Sequence, residues 1–338
     1  MTEKPFLGKR YSRVSSVHDY LLEPVRTEAR QRIMKEILEK AQKHEVSCLC
    51  GNPDKDVPLA QMDRWGLPCT TVLCSHCGMI RVNPRFGGNV YGEIYAELYW
   101  PMAMGSLEIS QSRFDLSVRR ASEYAGYLTR HYNLAGKEIL ELGCSHGAGL
   151  QVLKHSGAGL TGYDYDQRML DYGRRFTSLD LRYGGALEAV KDGNRYDLII
   201  LRHVFEHMLN PHAEFSSLKE LLKPEGALFV EVPGILNPQW WKPDPYFYFD
   251  VFHAYCYCLN HLDCLMRTNG FRLLQGDEHV FSLWRLGPED KNVQWQNPAL
   301  VKRILGHLTA MERARKLNAI RSGIVGIPGK ILSYFRRH

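Results

Sequence analysis

The chain has 338 residues, of which 44% are hydrophobic and 24% are charged, a composition typical of a globular protein with a full core. The first residues lack the apolar run of a signal peptide, and no stretch reaches the ~18 apolar residues of a membrane helix. We therefore predict a cytoplasmic protein. In that reducing compartment, the nine cysteines indicate free thiols or metal ligands rather than disulfides.

The formal net charge of +6 is unevenly distributed along the chain. Residues 301–338 carry nine lysines and arginines against one glutamate, a net charge of +8, which leaves the first 300 residues at about −2. The basic character thus belongs to the tail and not to the body of the protein. This distribution argues against nucleic acid as a partner.

Two N-terminal segments differ in character. Apolar residues recur at helical spacing among charged ones over residues 23–44, which predicts an amphipathic surface helix. Residues 48–85 instead contain short strand-like runs between Gly, Pro and Asn, together with five cysteines. This pattern predicts a small separate unit.

The cysteines of this second segment form two close pairs. The run C-S-H-C-G at 74–78 is a tight turn in which two thiolates can bind one metal ion, and C-L-C-G at 48–51 supplies a second pair. A four-thiolate Zn²⁺ site of this kind is structural, because no coordination position stays open for water. The predicted ligands are Cys48, Cys50, Cys74 and Cys77. Only one residue separates the first pair, so Cys69, His44 and His76 remain alternative ligands.

From Lys137 onward, short apolar strands alternate with helical segments, after a predicted helix over 114–132. The predicted strands lie at 138–141, 160–163, 196–201 and 226–232. This alternation predicts an α/β fold with a Rossmann-like, doubly wound parallel sheet.

The first of these strands runs into a glycine-rich turn, E-L-G-C-S-H-G-A-G, at 141–149. Glycines there let the backbone pass close to a ligand, where side chains would block it. Asp164 stands 21 residues after Gly143, at the end of the next strand, where a carboxylate can accept both hydroxyls of a ribose. The turn reads E-x-G-x-x-x-G-x-G, whereas a dinucleotide site would read G-x-G-x-x-G.

With three further motifs in order, this turn resembles motif I of class I S-adenosylmethionine-dependent methyltransferases. The run Y-D-L-I-I-L-R-H-V-F-E-H at 196–207 resembles the fourth strand of the family branch that ends in h-v-L-E-H. The runs L-L-K-P-E-G at 221–226 and N-G-F at 269–271 resemble the turns before the fifth strand and the late antiparallel strands. The resemblance covers roughly residues 137–275 and implies a seven-stranded sheet with S-adenosyl-L-methionine as cofactor.

The resemblance also assigns the cofactor to positions in this sequence. The residues around its methionine part would be Glu141, Gly143, Cys144 and Gly147, with Asp164 at the ribose and Ala186 and Leu187 at the adenine edge. We include in the predicted cofactor site the two residues that follow the second and fourth strands, Tyr165 and His203.

The cysteine-rich segment carries a second resemblance. The run D-R-W-G-L-P at 63–68, followed by C-S-H-C-G, resembles the N-terminal zinc ribbon of bacterial methyltransferases in sugar and surface-polysaccharide pathways. It implies a sugar, nucleotide-sugar or lipid-linked glycan as acceptor. The predicted division of the chain is a helical arm (1–45), a zinc-ribbon-like unit (46–88), linking helices (89–135), a class I methyltransferase domain (136–286) and a basic helical tail (287–338).

Methyl transfer to a hydroxyl requires a group that accepts the proton, a task that suits histidine near neutral pH. His207 follows the fourth strand, on the side where ligands bind in doubly wound folds, and Glu206 could orient it. His253 lies in a segment that resembles the family's d-H-l-h-h-f motif, so either histidine is a candidate base. The chain lacks the Asp/Asn-Pro-Pro-Tyr/Phe run of amino-group methyltransferases, so we predict O-methylation, with C-methylation as the less favoured alternative.

Two further segments each have two interpretations. The aromatic residues within 240–249 could stack on sugar rings as a lid or form the core of an insertion. The tail over 301–335 combines apolar positions with basic ones, a pattern that suits peripheral contact with an anionic membrane surface or a helix packed on its own domain or a second subunit.

These observations lead to one leading hypothesis and two alternatives. We predict an S-adenosylmethionine-dependent methyltransferase (EC 2.1.1) that O-methylates a sugar or surface-polysaccharide intermediate in the cytoplasm or at the inner face of the membrane. The alternatives are an RNA methyltransferase that uses the ribbon and the basic tail, and a non-catalytic module that binds the cofactor or a nucleotide as a structural ligand.

Overall fold

The computed structural model describes residues 5–12, 23–52, 56–106, 109–236 and 244–325. Its helices are α1 (Pro24–Arg32), α2 (Gly88–Glu97), α3 (Tyr99–Met104), α4 (Gln111–His131), α5 (Ala148–Gln151), α6 (Gln167–Phe176), α7 (Ala186–Lys191), α8 (Pro211–Leu221), α9 (Leu259–Thr268) and α10 (Pro298–Val325). A wider helical turn, Ile33–Leu38, extends α1, and short 3-10 turns lie at Lys9–Ser12, Phe205–His207 and Pro245–Tyr248. The predicted helix over 114–132 is confirmed in α4. The helix predicted over 23–44 is confirmed only as far as Leu38, where the extension of α1 ends, because Lys43–His44 form the strand β1 instead.

The strands fall into a large sheet and two small ones. The strands are β1 (Lys43–His44), β2 (Asp56–Met62), β3 (Pro68–Cys74), β4 (Ile80–Val82), β5 (Arg85–Phe86), β6 (Glu138–Leu142), β7 (Gly159–Asp164), β8 (Asp180–Tyr183), β9 (Tyr196–Arg202), β10 (Leu222–Glu231), β11 (Tyr255–Cys256), β12 (Phe271–Gly276) and β13 (Phe281–Leu286).

The large sheet has seven strands in the order β12-β13-β10-β9-β6-β7-β8. The five strands from β6 to β10 pair in parallel, and β13 pairs antiparallel with both β10 and β12. The first parallel strand, β6, therefore lies inside the sheet, between β7 and β9. The predicted α/β fold and the seven-stranded sheet are confirmed.

The central strands bury both faces of this sheet. In β9, Leu198 and Ile200 belong to the core beneath α4, whereas Ile199 and Leu201 belong to the core on the opposite face. Successive side chains of a strand point to opposite faces, so a run without polar residues is what a doubly covered sheet requires. The doubly wound arrangement follows directly from these apolar runs.

The cysteine-rich segment is packed into the main domain and does not stand apart from it. Its sheet has the order β11-β4-β3-β2, and the fourth strand, β11, comes from beyond residue 250. Cys74, Cys77 and Met79 belong to the same core as Leu140 and Val230 of the large sheet. The expectation of a small separate unit is thus wrong in its packing, because core residues cross the predicted boundary at residue 88.

The aromatic insertion and the tail both contribute to a third core. Tyr246, Tyr248 and Phe249 are buried there with Tyr11, which agrees with an insertion core and not with a lid. The other predicted aromatics, Trp240 and Trp241, lie outside the described residues, as does the tail after residue 325.

The first half of α10 packs against the same core. Its buried residues are Leu300, Ile304, Leu308 and Met311. Further along the helix, Leu317 and Ile320 are exposed. No helix in the described ranges is both long enough and apolar enough to cross a membrane.

Candidate functional site

The carboxyl ends of β6, β7 and β9 meet at one edge of the large sheet. Because β6 is flanked by β7 on one side and β9 on the other, the connections from these strands leave in opposite directions and open a crevice between them. Predicted cofactor residues Glu141, Asp164 and His203 lie at or just beyond these three ends. The tertiary structure therefore brings them to one edge.

The turn after β6 depends on its glycines. Gly143 and Gly147 both have φ in the left-handed region, at +74° and +77°, which favours glycine. A side chain at Gly143 would also overlap Val204, and one at Gly149 would overlap the carboxylate of Glu141. The glycines thus allow the chain between β6 and α5 to lie close to the strand ends.

Asp164 fixes this turn from the neighbouring strand. Its two carboxylate oxygens accept hydrogen bonds from the backbone amides of Ser145, at 2.7 Å, and Asp166, at 2.8 Å. Burial raises the pKa of Asp164, and these amide donors oppose that shift. Since each carboxylate oxygen can accept a second hydrogen bond, Asp164 can hold the turn and still bind ribose hydroxyls.

Two of the three residues between Gly143 and Gly147, Cys144 and His146, have buried side chains. Cys144 is buried in a core cluster with Leu150 and Leu181. His146 packs edge to face against Phe114, with ring centroids 5.2 Å apart, and its burial lowers the pKa to about 4. Only the backbone of this predicted cofactor residue, Cys144, remains to face a ligand.

Glu141 places a buried carboxylate beside this turn. Its side chain is 3% exposed, its Oε2 has no hydrogen-bond partner among the described residues, and burial raises its pKa to about 7. Arg202 Nη1 lies 3.9 Å from Glu141 Oε1 and its guanidinium lies over the ring of Tyr124, 4.0 Å from the centroid. An orphaned buried oxygen of this kind indicates a ligand with a hydrogen-bond donor or a positive charge.

His203 bridges two further carboxylates. Its Nδ1 lies 3.3 Å from Glu206 Oε1, and its Nε2 lies 3.2 Å from Glu231 Oε1. Burial would lower the pKa of His203, but the two carboxylates outweigh it and raise the pKa to about 10. Half of the side chain is exposed, so solvent moderates this effect. His203 is thus cationic at neutral pH.

The remaining predicted cofactor residues lie beyond β7 and β8. Tyr165 and Leu187 are each 62% exposed. The Tyr165 hydroxyl donates to Glu188, at 2.9 Å, in the first turn of α7, which Ala186 begins. Exposed aromatic and aliphatic side chains of this kind suit the flat face of an adenine.

The three predicted catalytic residues come together at the same edge of the sheet. Ligand-capable side-chain atoms of Glu206, His207 and His253 lie within 4.8 Å of one another, and the two imidazole centroids are 4.9 Å apart. Burial lowers the pKa of His253 to about 4, so this histidine is neutral at pH 7. Glu206 is buried, and its histidine neighbours keep its pKa low despite that burial.

The neighbours of His207 determine which of its two ring nitrogens carries the proton. Its Nδ1 lies 2.8 Å from the carbonyl oxygen of Phe252 and 2.8 Å from the hydroxyl of Tyr95. A carbonyl can only accept a hydrogen bond, so Nδ1 carries the proton and donates it to Phe252. In the neutral ring, Nε2 is then the atom with a free lone pair.

The four predicted metal ligands form a compact group. Cys48 Sγ lies 3.6 Å from Cys77 Sγ, Cys50 Sγ lies 3.7 Å from Cys74 Sγ, and all four sulfurs are within 4.8 Å of one another. Tetrahedral zinc with bonds of about 2.3 Å places its sulfurs about 3.8 Å apart. The thiols fit such an ion.

The alternative metal ligands do not belong to this group. Cys69 is buried elsewhere, with its Sγ beside the Thr71 hydroxyl. His44 and His76 are likewise not among the residues that share the site. The tertiary structure therefore brings the two cysteine pairs together and leaves Cys69, His44 and His76 outside the group.

Sequence reasoning missed several residues of the site. Arg202 and Glu231 form a 2.8 Å ion pair at the ends of β9 and β10. Each is a charged residue that directly follows an apolar run of a parallel strand, and this sequence signal could have indicated both. Tyr95 and Asp250 carry no such sequence signal, because they reach the site only through packing of α2 and of the loop before β11.

Comparisons with known proteins bear on the same part of the chain. Residues 116–276 match the family model described as a methyltransferase domain. The ubiquinone biosynthesis O-methyltransferase of Nitrosospira multiformis is 31% identical over 114 residues, which cover 31% of this chain and 46% of that protein. A probable S-adenosylmethionine-dependent methyltransferase of Mycolicibacterium smegmatis is 25% identical over 143 residues, covering 42% and 54%.

The chain thus spans about half the length of the curated relatives that it matches. Among solved structures, the magnesium protoporphyrin IX methyltransferase of Synechocystis PCC 6803 with bound SAH is 16% identical, with a TM-score of 0.41. The similarity covers 59% of this chain and 98% of that one.

The raised pKa of His203 leads to a pH-dependent stability. A histidine whose pKa is raised on folding stabilises the protein below the unfolded pKa of about 6.5, and this contribution is lost as pH rises through the folded value. We expect His203→Gln to lower the free energy of unfolding by about 1 kcal/mol at pH 6, and the difference from wild type to shrink toward pH 10. Urea denaturation across this range measures it, with exposed His279→Gln as control. A difference that does not vary with pH would contradict the bridge.

Proposed function

We propose that this chain, which carries a methyltransferase domain over residues 116–276, transfers a methyl group from S-adenosyl-L-methionine to a hydroxyl of a sugar or surface-polysaccharide intermediate. The observation that carries the proposal is a juxtaposition at one sheet edge. An orphaned buried carboxylate, Glu141, belongs to the glycine-rich turn, and the cluster around His207 follows β9, the strand next to β6.

The residues at this edge suit the proposed cofactor. Three carboxylates, Glu141, Glu206 and Glu231, face two cations, Arg202 and His203. With Glu141 ionised, the cluster has one negative charge in excess, which favours the positively charged methionine part of the cofactor. Asp164 would accept the ribose hydroxyls, and Tyr165, Ala186 and Leu187 would flank the adenine.

When bound, S-adenosyl-L-methionine supplies an electrophilic methyl group on a sulfonium. The protein's own contribution is to orient the acceptor hydroxyl and to take its proton. We assign that proton to His207 Nε2, because Phe252 and Tyr95 hold Nδ1 in its protonated form. The resulting imidazolium is stabilised by Glu206, while His253 stays neutral beside it.

Two classes of hydroxyl acceptor fit this arrangement. The ring of Tyr95 packs against His207, and the rings of Tyr99 and Phe252 pack against one another and against Tyr95. Aromatic rings of this kind can stack on the apolar faces of a sugar. The zinc-ribbon-like segment supports the same class by resemblance. The second candidate is a phenolic hydroxyl, which the names of the ubiquinone biosynthesis relatives favour.

We further propose that Cys48, Cys50, Cys74 and Cys77 bind one structural Zn²⁺. The sulfur separations support the assignment. His261 adds an outer contact, since its Nε2 lies 2.9 Å from the carbonyl oxygen of Cys77. With four thiolates around it, the ion has no open position for a substrate, so its contribution is to hold β3, β4 and the preceding loop together.

A lipid-linked acceptor would require contact with a membrane. In this protein such contact would involve only the second half of α10. Its earlier apolar residues are already buried in the core, which supports the alternative of a helix packed on its own domain. The exposed apolar residues, Leu317 and Ile320, lie near Arg313 and Lys316 along this half, and that combination suits an anionic surface.

The cofactor assignment is tested by the proton that Glu141 loses. Because its pKa is raised to about 7, Glu141 is largely protonated at pH 6, and a bound cation favours the ionised form. We expect S-adenosylmethionine binding at pH 6 to release a proton, measured by isothermal titration in buffers of different ionisation enthalpy. Glu141→Gln should abolish the release, whereas Glu138→Gln, at the exposed start of β6, should keep it.

Asp164→Ala provides a second arm of that titration. Loss of the ribose acceptor should weaken S-adenosylhomocysteine binding about tenfold or more. Absence of binding to wild type, together with tight binding of NAD, would overturn the cofactor assignment. Unchanged affinity in the Asp164 variant would show that the ribose lies elsewhere.

For the metal, elemental analysis of the purified chain should find about one zinc per molecule. Cys74→Ser with Cys77→Ser should lose the zinc and lower the melting temperature, because the ion no longer holds β3, β4 and the preceding loop together. Cys69→Ser is the matched control, since that thiol is also buried but lies outside the group. A zinc-free wild-type protein refutes the site.

Transfer of labelled methyl groups distinguishes the acceptor classes. Nucleotide sugars, lipid-linked glycans, phenols and bulk RNA are supplied in parallel, and we expect label in a sugar hydroxyl. His207→Gln should lower kcat by about 10² to 10⁴ with unchanged cofactor affinity, and His279→Gln should not. Label in phenols supports the second candidate, and label in RNA overturns both. Cofactor binding without any transfer would support a non-catalytic module.

A further inference from the structure

The loop that leads into β11 is held by residues from the N-terminal, cysteine-rich segment. Arg64 Nη2 lies 2.7 Å from Asp250 Oδ2, and the Trp65 indole donates to the same oxygen at 3.2 Å. The carboxylate of Asp63 accepts from the Val251 amide at 3.2 Å. The Arg64 amide donates to the carbonyl of Phe249 at 2.8 Å. Three consecutive residues of one segment therefore fix a turn almost 190 positions away.

The turn at residues 250–254 also contacts His207. Asp250 Oδ1 accepts from the Phe252 amide at 3.0 Å, and the Asp250 carbonyl accepts from the His253 amide at 3.0 Å. Asp250 therefore orients the peptide units on both sides of Phe252. The carbonyl of the same residue accepts the Nδ1 proton of His207 at 2.8 Å. The contacts form a continuous chain from Arg64 and Trp65, through Asp250 and Phe252, to the imidazole.

We propose that Asp63, Arg64 and Trp65 are positioning residues for His207: they hold the turn at 250–254 so that the Phe252 carbonyl keeps His207 in the Nδ1–H form, with Nε2 free toward the acceptor. The inference rests on the proposed function in one respect, namely that Nε2 takes the proton of the acceptor hydroxyl. The tautomer itself is a property of the protein alone.

The contacts of Asp63, Arg64 and Trp65 with the turn at 250–254, called the clamp below, are effective because they are buried. The side chain of Asp250 is 0% exposed, and within the described ranges Arg64 is the cation with which it forms an ion pair. A buried carboxylate must stay paired, because an uncompensated charge in the interior is strongly unfavourable. The turn therefore cannot shift without breaking both the ion pair and the indole hydrogen bond.

The arrangement also gives the cysteine-rich segment a role in the site. Asp63, Arg64 and Trp65 lie between β2 and β3, and β3 ends at Cys74 of the thiol group. On the other side of the turn, the Val82 amide at the end of β4 donates to the Ala254 carbonyl at 3.2 Å. The cysteine-rich segment, which the zinc would hold together, thus packs directly against the turn beside His207 and is not an appended module.

Nitrogen NMR of the full chain labelled with [¹⁵N]histidine tests the clamp directly. The His207 signals are identified by their loss in His207→Gln, and long-range ¹⁵N–¹H correlations show which ring nitrogen carries the proton. We expect the Nδ1–H form in wild type and in Arg64→Lys, which keeps the charge. Arg64→Gln and Asp250→Asn should give a mixture of tautomers. Trp65→Phe removes only the indole donor to Asp250 and should also give a mixture of tautomers. It provides the test if Arg64→Gln or Asp250→Asn does not fold.

Asp56→Asn is the matched control. It removes a carboxylate from another ion pair of the same segment, in which Arg81 Nη2 lies 2.8 Å from Asp56 Oδ2, and should leave the His207 signals unchanged. Wild-type signals in folded Arg64→Gln, Asp250→Asn and Trp65→Phe would overturn the inference. A mixture in Asp56→Asn as well would overturn it too, because it would show a general loss of order.

Kinetics separate this inference from the proposed function. For the folded clamp variants we expect kcat to fall by about tenfold to a hundredfold, while KM for the acceptor and S-adenosylhomocysteine affinity stay within about twofold of wild type. Altered tautomers in a protein that transfers no methyl group would support the clamp and refute the proposed function. Normal tautomers in variants of an active enzyme would refute the clamp alone.

Discussion

A parallel sheet that is covered on both faces leaves no room for polar groups along its central strands. In β9, the residues from Leu198 to Leu201 are all fully buried and apolar, because every backbone group is paired within the sheet and both faces pack against helices. Charged groups can therefore occur only where the strands end. The charged side chains of the candidate site lie at the carboxyl edge for that reason.

Charges crowded at one edge must compensate one another. Arg202 forms an ion pair with Glu231 and lies near Glu141, and His203 lies between Glu231 and Glu206. Two cations therefore compensate three carboxylates. The excess negative charge and the orphaned oxygen of Glu141 are costly in the isolated protein and become favourable beside a cationic ligand. Burial is the main cause of the raised pKa of Glu141.

The N-terminal segment adds the second half of the site. Its turn at residues 63–65 holds the loop before β11, and α2 contributes Tyr95 to His207. These contacts complete a wall that the seven-stranded sheet does not contain. The methyltransferase match covers residues 116–276, so Tyr95 and the turn at residues 63–65 come from sequence outside the matched range, whereas the loop that they contact lies inside it.

The sequence by itself determined the fold and the glycine-rich turn with Asp164 beside it, because these depend on local patterns: apolar runs of strand length, glycines that favour left-handed backbone, and an acid at the end of the next strand. It also placed both cysteine pairs. Only the tertiary structure decided that Cys69, His44 and His76 stay outside the thiol group and that β11 joins the cysteine-rich sheet. It also decided that Tyr95 contacts His207 and that Arg64 pairs with Asp250. Contacts between residues more than a hundred positions apart depend on how the elements pack, and no periodicity or spacing in the chain records that packing.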